Sequence, residues 1–122
     1  MKYLLLMTNG SEEIAEWQRL SEEEQQRLRA EELPKWGELF GWIEQKGLKV
    51  DGLELDDPSR ARTIRVRNGE TLVTDGPYAE TKDQIGGFFV AECDDLDDAI
   101  ELASRVPVAS KASVEIRPLV PQ

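Results

Sequence analysis

A single α+β domain is the fold class that this 122-residue sequence predicts, on three observations. Apolar runs of strand length alternate with two stretches patterned as helices, and capping residues bound those helices. An Asn-Gly pair also stands between two alternating segments, the strongest short-range hairpin signal. With 39% hydrophobic and 33% charged residues the composition is that of a globular chain. A domain of this size buries roughly two-thirds of its unfolded surface and needs no disulfide or metal staple.

Lys2 to Thr8 reads as the first strand, closed by the turn residues Asn9-Gly10. A short acidic segment containing Ile14 and Trp17 follows. Ser21 then stands three residues before Glu24, a capping-box pattern that opens a helix running to Lys46, with Gly47 as its C-terminal cap. Leu28, Trp36, Leu39, Phe40 and Ile43 form its apolar stripe, with Leu33 alongside, and Pro34 predicts a kink or break. Leu48 to Leu55 is a second strand, and Asp56-Asp57-Pro58-Ser59 carries strong turn chemistry. Arg62 to Arg67 and Glu70 to Thr74 form the hairpin around Asn68-Gly69, with Arg65, Arg67 and Thr63 on one exposed face. Asp75-Gly76-Pro77 ends it, and Tyr78 to Gln84 is a polar loop.

Gly87 to Cys93 is an apolar strand. Asp94-Asp95 opens the second helix, where acidic residues suit the positive end of the helix dipole rather than a metal. Its inner face carries Leu96, Ile100 and Ala103, with Ala99 alongside. Pro107 stops it, and Ser113 to Leu119 is the last strand. Strand, helix, strand, inserted hairpin, strand, helix, strand is the split βαβ order of ferredoxin-like folds: βαββαβ with an inserted β-hairpin, in one domain over residues 1–122.

Two helices cover one face of a four-stranded sheet, yet the first strand is apolar on both: Tyr3, Leu5 and Met7 one way, Leu4 and Leu6 the other. The strand around Phe88, Phe89, Val90 and Ala91 has the same character. The expected second cover is another copy, giving a homodimer whose facing sheets enclose a barrel. The alternative is a monomer whose inserted hairpin folds over the open face.

The formal charge of −10 argues against nucleic acid and anionic membranes as partners. The opening apolar run is too short for a signal peptide, and no stretch reaches the roughly 20 residues of a membrane span, so a cytoplasmic protein is expected. The single cysteine, Cys93, falls in a predicted strand and reads as a small buried thiol. Histidine is absent. That excludes Ser-His-Asp and Cys-His catalysis and histidine-ligated zinc or iron. Acid–base work would fall to carboxylates, lysine or tyrosine, and no metal or other cofactor is predicted. Trp17, Trp36 and Trp42 read as core or interface aromatics.

One block is distinctive: Asp75-Gly76-Pro77-Tyr78-Ala79-Glu80-Thr81-Lys82-Asp83-Gln84-Ile85-Gly86-Gly87-Phe88-Phe89. With Lys2-Tyr3-Leu4-Leu5-Leu6, Asp51-Gly52-Leu53-Glu54-Leu55 and Val114-Glu115-Ile116-Arg117-Pro118, it resembles the YCII-related family, in the branch named for an Asp-Gly-Pro-Phe motif. The resemblance implies a dimeric α+β barrel and no assigned reaction. A histidine–aspartate mechanism proposed for some members cannot transfer to a chain without histidine. Tyr78 stands where the motif has Phe. Members of the branch are often encoded beside extracytoplasmic-function sigma factors, which implies a regulatory setting.

Physically, Gly76-Pro77 fixes a sharp turn, and Gly86-Gly87 permits close backbone approach or a bulge. The polar residues between them sit on a loop braced by rigid turns, where binding groups concentrate. The leading reading is a small-molecule pocket in a dimeric barrel, catalytic or purely binding. Asp75 or Glu80 would be a general base with its pKa raised by burial, and Lys82 or Tyr78 would steady developing negative charge. Gly76, Pro77, Tyr78 and Thr81 would line the ligand. The rival is a non-enzymatic regulatory or interaction protein acting with a sigma factor. For Asp75 the bland role is to accept hydrogen bonds from its own turn.

Overall fold

The computed structural model describes residues 1–77 and 83–122. Strand β1 (Lys2–Gly10) leads into α1 (Ser11–Arg19) and the long α2 (Glu22–Lys46). Next come β2 (Lys49–Glu54), the hairpin β3 (Arg62–Arg67) and β4 (Glu70–Asp75), β5 (Asp83–Glu92), α3 (Leu96–Ser104) and β6 (Val114–Pro118). Four strands form an antiparallel sheet in the order β2-β5-β1-β6, and among the described residues β3 and β4 pair only with each other. The architecture is α+β.

Local signals explain most boundaries. The Ser21 side chain accepts from the Glu24 amide while Glu24 reaches back to the Ser21 amide, so the capping box is complete. Gly47 ends α2 at φ 69°, where a side chain would be strained. Asn68 and Gly69 both take positive φ, the geometry of a tight turn whose twist matches its strands.

The core lies between the sheet and the helices α2 and α3. Tyr3, Leu5, Met7, Phe89 and Ala91 point from the sheet into Leu39, Ile43, Ala99, Leu102, Ala103 and Val106, and Cys93 is buried with them. Trp36 packs edge-on to Phe89 at 6.4 Å, and Trp42 closes the layer under the Arg105 guanidinium at 4.4 Å. Burial pushes the Cys93 thiol pKa up, as an enclosed sulfur requires. The opposite sheet face carries Leu4, Leu6, Phe88 and Val90, all half-covered, with Leu53 exposed.

Several expectations are corrected. Asn9-Gly10 is not a turn: β1 runs through it and pairs Gly10 with Asp83. The acidic segment is helix α1, whose N-cap Gly10 offers no side-chain bond to signal it. Helix α2 passes through Pro34 without breaking. The inner face of α3 is Ala99, Leu102 and Ala103, while Leu96 and Ile100 are half exposed, because Leu102 and Val106 draw the helix about one position round. On the hairpin, Ile64, Val66 and Val73 are the open side, whereas Thr63 and Arg65 are half-buried. Among the described residues the hairpin strands pair with each other, and Leu53 on the open sheet face stays in solvent.

Candidate functional site

The approach to the Asp-Gly-Pro segment starts from Gly86. Between Met7 and Thr8 the β1–β5 register skips that residue, so Gly86 is a bulge. Its carbonyl accepts from the Leu55 amide at 2.8 Å, which carries the chain off the end of β2 toward the hairpin. A Cβ at Gly86 would meet the Asn9 side chain. The bulge thus sets where the segment 55–61 leaves the sheet.

That segment is internally braced. Asp57 caps the short 3-10 turn Pro58–Arg60 by accepting from the Ser59 amide at 2.9 Å. It also accepts from Gln18 Nε2 at 2.9 and 3.1 Å, tying the turn to α1. The Ser59 amide, assisted by its side chain and Gln18, holds the Asp57 carboxyl below the ordinary range. Arg60 Nη1 pairs with Asp56 Oδ2 at 2.9 Å.

Gly76-Pro77 closes against this turn. The Gly76 amide donates to the Ala61 carbonyl at 2.9 Å, and Thr63 Oγ1 donates to the Gly76 carbonyl at 2.8 Å. Gly76 itself sits at φ 98°, a conformation open to glycine. Two adjoining clefts result, sharing Pro58, Pro77 and Gln84. The larger, about 500 Å³, is lined by Leu55, Ile85 and Ala61 together with the Asp56–Arg60 pair. The smaller, about 290 Å³, continues to Ile14, Ala15 and Gln18 of α1. Their walls are mainly apolar and both are open to solvent, which suits holding a partly apolar molecule.

Of the residues expected to form a site, Gly76 and Pro77 line these clefts. Asp75 does not. Its side chain is 87% exposed, and Oδ1 lies 3.1 Å from Arg62 Nε across the hairpin. The burial expected of it is lacking in a single chain, and among the described residues its partner is Arg62, while Ala61 and Thr63 hold the turn. Tyr78, Glu80, Thr81 and Lys82 lie outside the described residues. The sequence reading missed α1 and the 55–61 turn as walls. The usable signal was Asp57-Pro58-Ser59, a rigid turn whose neighbours Leu55 and Ala61 are apolar.

No helix among the described residues is long and apolar enough to cross a membrane. The family model for the YCII-related domain matches residues 1–122. An uncharacterized protein of Rhizobium meliloti strain 1021 is 33% identical over 125 residues, covering 98% of this chain and 92% of the relative.

Proposed function

We propose that this chain, which belongs to the YCII-related family, is a ligand-binding homodimer whose small-molecule cleft lies beside the Asp-Gly-Pro-Tyr loop. The observation that carries the reading is the pair of clefts meeting at Pro58, Pro77 and Gln84, with the motif's Gly76-Pro77 in the wall. The Asp75–Phe89 block supports membership of the Asp-Gly-Pro-Phe branch as one domain over 1–122. The strand order β2-β5-β1-β6 with helices on one face supports a ferredoxin-like fold, and the half-covered face of Leu4, Leu6, Phe88 and Val90 supports sheet-to-sheet dimerisation.

Asp75, Glu80 and Lys82 are the groups through which such a site would act chemically, with Tyr78 and Thr81 contributing to binding. In this reading Asp75 is enclosed only where the partner copy covers it. Binding is therefore the primary role and catalysis depends on assembly. A cytoplasmic setting agrees with the acidic, cysteine-poor composition. A second reading, an interaction protein without chemistry, draws support from the exposure of Asp75.

Amide NMR against a soluble fragment library separates the two. The binding reading expects hits that shift Ala61, Gly76, Gln84 and Ile85 together. Hits confined to other surfaces, or none at millimolar concentration, refute it.

A further inference from the structure

The larger cleft carries more acid than base. Asp56, Asp57 and Asp83 stand in its wall against Arg60, three to one, a net −2. Arg60 is engaged by Asp56, Nη1 to Oδ2 at 2.9 Å. Asp57 is held by neutral groups instead: the Ser59 amide donates to it at 2.9 Å and Gln18 Nε2 at 2.9 and 3.1 Å. No ion pair among the described residues includes it. These donors orient the carboxylate and favour its ionised form while leaving its charge uncancelled.

The surroundings reinforce that sign. Helix α1, which walls the smaller cleft through Ile14, Ala15 and Gln18, holds Glu12, Glu13 and Glu16 against Arg19, three to one, again a net −2. Its N-terminus alone would favour an anion, but Glu12 and Glu13 stand in the first turn and answer that partial charge. The stretch 78–82 carries Glu80 and Lys82, one of each sign, and the whole chain carries −10. A carboxylate or phosphate entering the clefts therefore approaches against the field, and an ammonium approaches with it. The apolar lining of Leu55, Ala61, Pro77 and Ile85 rewards a ligand body that is itself apolar.

We infer that the clefts select small molecules that join an ammonium group to a compact apolar body, and discriminate against carboxylates and phosphates, with Asp57 as the residue that decides. The inference rests on the binding reading above and adds the charge class of the ligand. Ser59 and Gln18 act through Asp57: they fix where its oxygens stand and leave the ligand to supply the positive charge.

Three probes that share a phenyl ring and differ in charge test it: phenethylammonium, phenylethanol and phenylpropionate, titrated into the full chain and read at the amides of Ala61, Gly76, Gln84 and Ile85. The expected result at low salt is that the ammonium binds about tenfold more tightly than the carboxylate, with the alcohol between. That is the scale set by one unit charge about 5 Å away in water, attracting one probe and repelling the other. The gap should narrow at about 0.5 M salt, a readout on the parent chain that no folding defect of a variant can blur. Asp57→Asn keeps an acceptor for the Ser59 amide and should bring the ammonium within about threefold of the alcohol, whose own affinity stays unchanged. Equal affinities, or the alcohol or carboxylate binding most tightly at those four amides, overturn the charge class and leave the cleft standing. A gap that persists in Asp57→Asn overturns the role of Asp57. If no probe moves those amides at about 10 mM, the binding reading falls and the inference falls with it.

Discussion

Asp75→Asn tests how the motif's first residue is used. In the chain Asp75 Oδ1 sits 3.1 Å from Arg62 Nε, with the two side chains 87% and 53% exposed. An ion pair this open to water and counterions is worth about 0.2–1 kcal/mol. Asparagine keeps the shape and loses the charge, so the expected loss is under about 1 kcal/mol, a fall in Tm of no more than about 4 °C. A thermal melt followed by circular dichroism reads the single variant, and a double-mutant cycle with Arg62→Gln reads the coupling. Coupling well above about 1 kcal/mol, or a fall near 10 °C, would refute the reasoning. It would show the pair desolvated in the assembled protein. The cleft reading predicts that fragments bound at Pro77 and Gln84 bind Asp75→Asn within about threefold of the parent.

Three further outcomes follow from the geometry. Gly52→Ala places a Cβ against the Phe88 carbonyl and the Phe89 ring, so overpacking should destabilise by about 3 kcal/mol; a variant within 1 °C of the parent in Tm would contradict the close β2–β5 approach. Leu5→Ala empties a fully buried position in the central strand and should cost about 3 kcal/mol by urea denaturation, against about 1 kcal/mol for Ser21→Ala at the helix cap; equal costs would be inconsistent with the core described. Acid should destabilise the fold: the Ser59 amide holds Asp57 low, the Ser21 amide holds Glu24 low, and at Glu32 partial burial is outweighed by Lys111 and Lys35. A depressed folded pKa gives stability that is present above the ordinary carboxylate range and lost as pH falls through the folded value, so Tm should drop below about pH 4, and a Tm that rises there would overturn the assignment.

What could be read in the residues was what neighbours in sequence decide. Ser21 with Glu24, Gly47, and Asn68-Gly69 act within a few positions, and each signal stands where the chain turns or caps. Helix α1 was hidden because Gly10 caps it without a side chain, and because Asn9-Gly10 is drawn into the sheet by Asp83, a partner far along the chain. The face of α3 was hidden for a related reason. Leu96 and Ile100 match the helical period as well as Leu102 and Val106 do, and the sheet decides between them. At the site, the chemistry of Gly76-Pro77 was legible. Its partners were not, since Pro58, Gln18 and Ile85 reach it from three separate elements.

Helix α2 divides into two mechanical regimes. Its 25 residues span about 37 Å, yet the two it buries, Leu39 and Ile43, lie in the second half. The first half is held by its capping box, by Gln25 Nε2 donating to the Trp17 carbonyl at 2.8 Å, by the exposed Arg29–Glu54 pair and by the partly covered Lys111–Glu32 pair. Pro34 stands between the halves and leaves the Ala30 carbonyl without its helical donor. The first three turns can therefore unravel while the rest of the helix stays locked to the sheet, a sub-global opening with its own low free energy. Amide protection along α2 then falls in a step at Pro34 instead of fraying evenly, and proteases gain their first internal cut among Glu22 to Leu33. Because Trp17 and Gln18 of α1 are tied to that same stretch and to Asp57, the step should reach the cleft wall, and hydrogen exchange should then show the first half of α2 and the mouth of the cleft opening together.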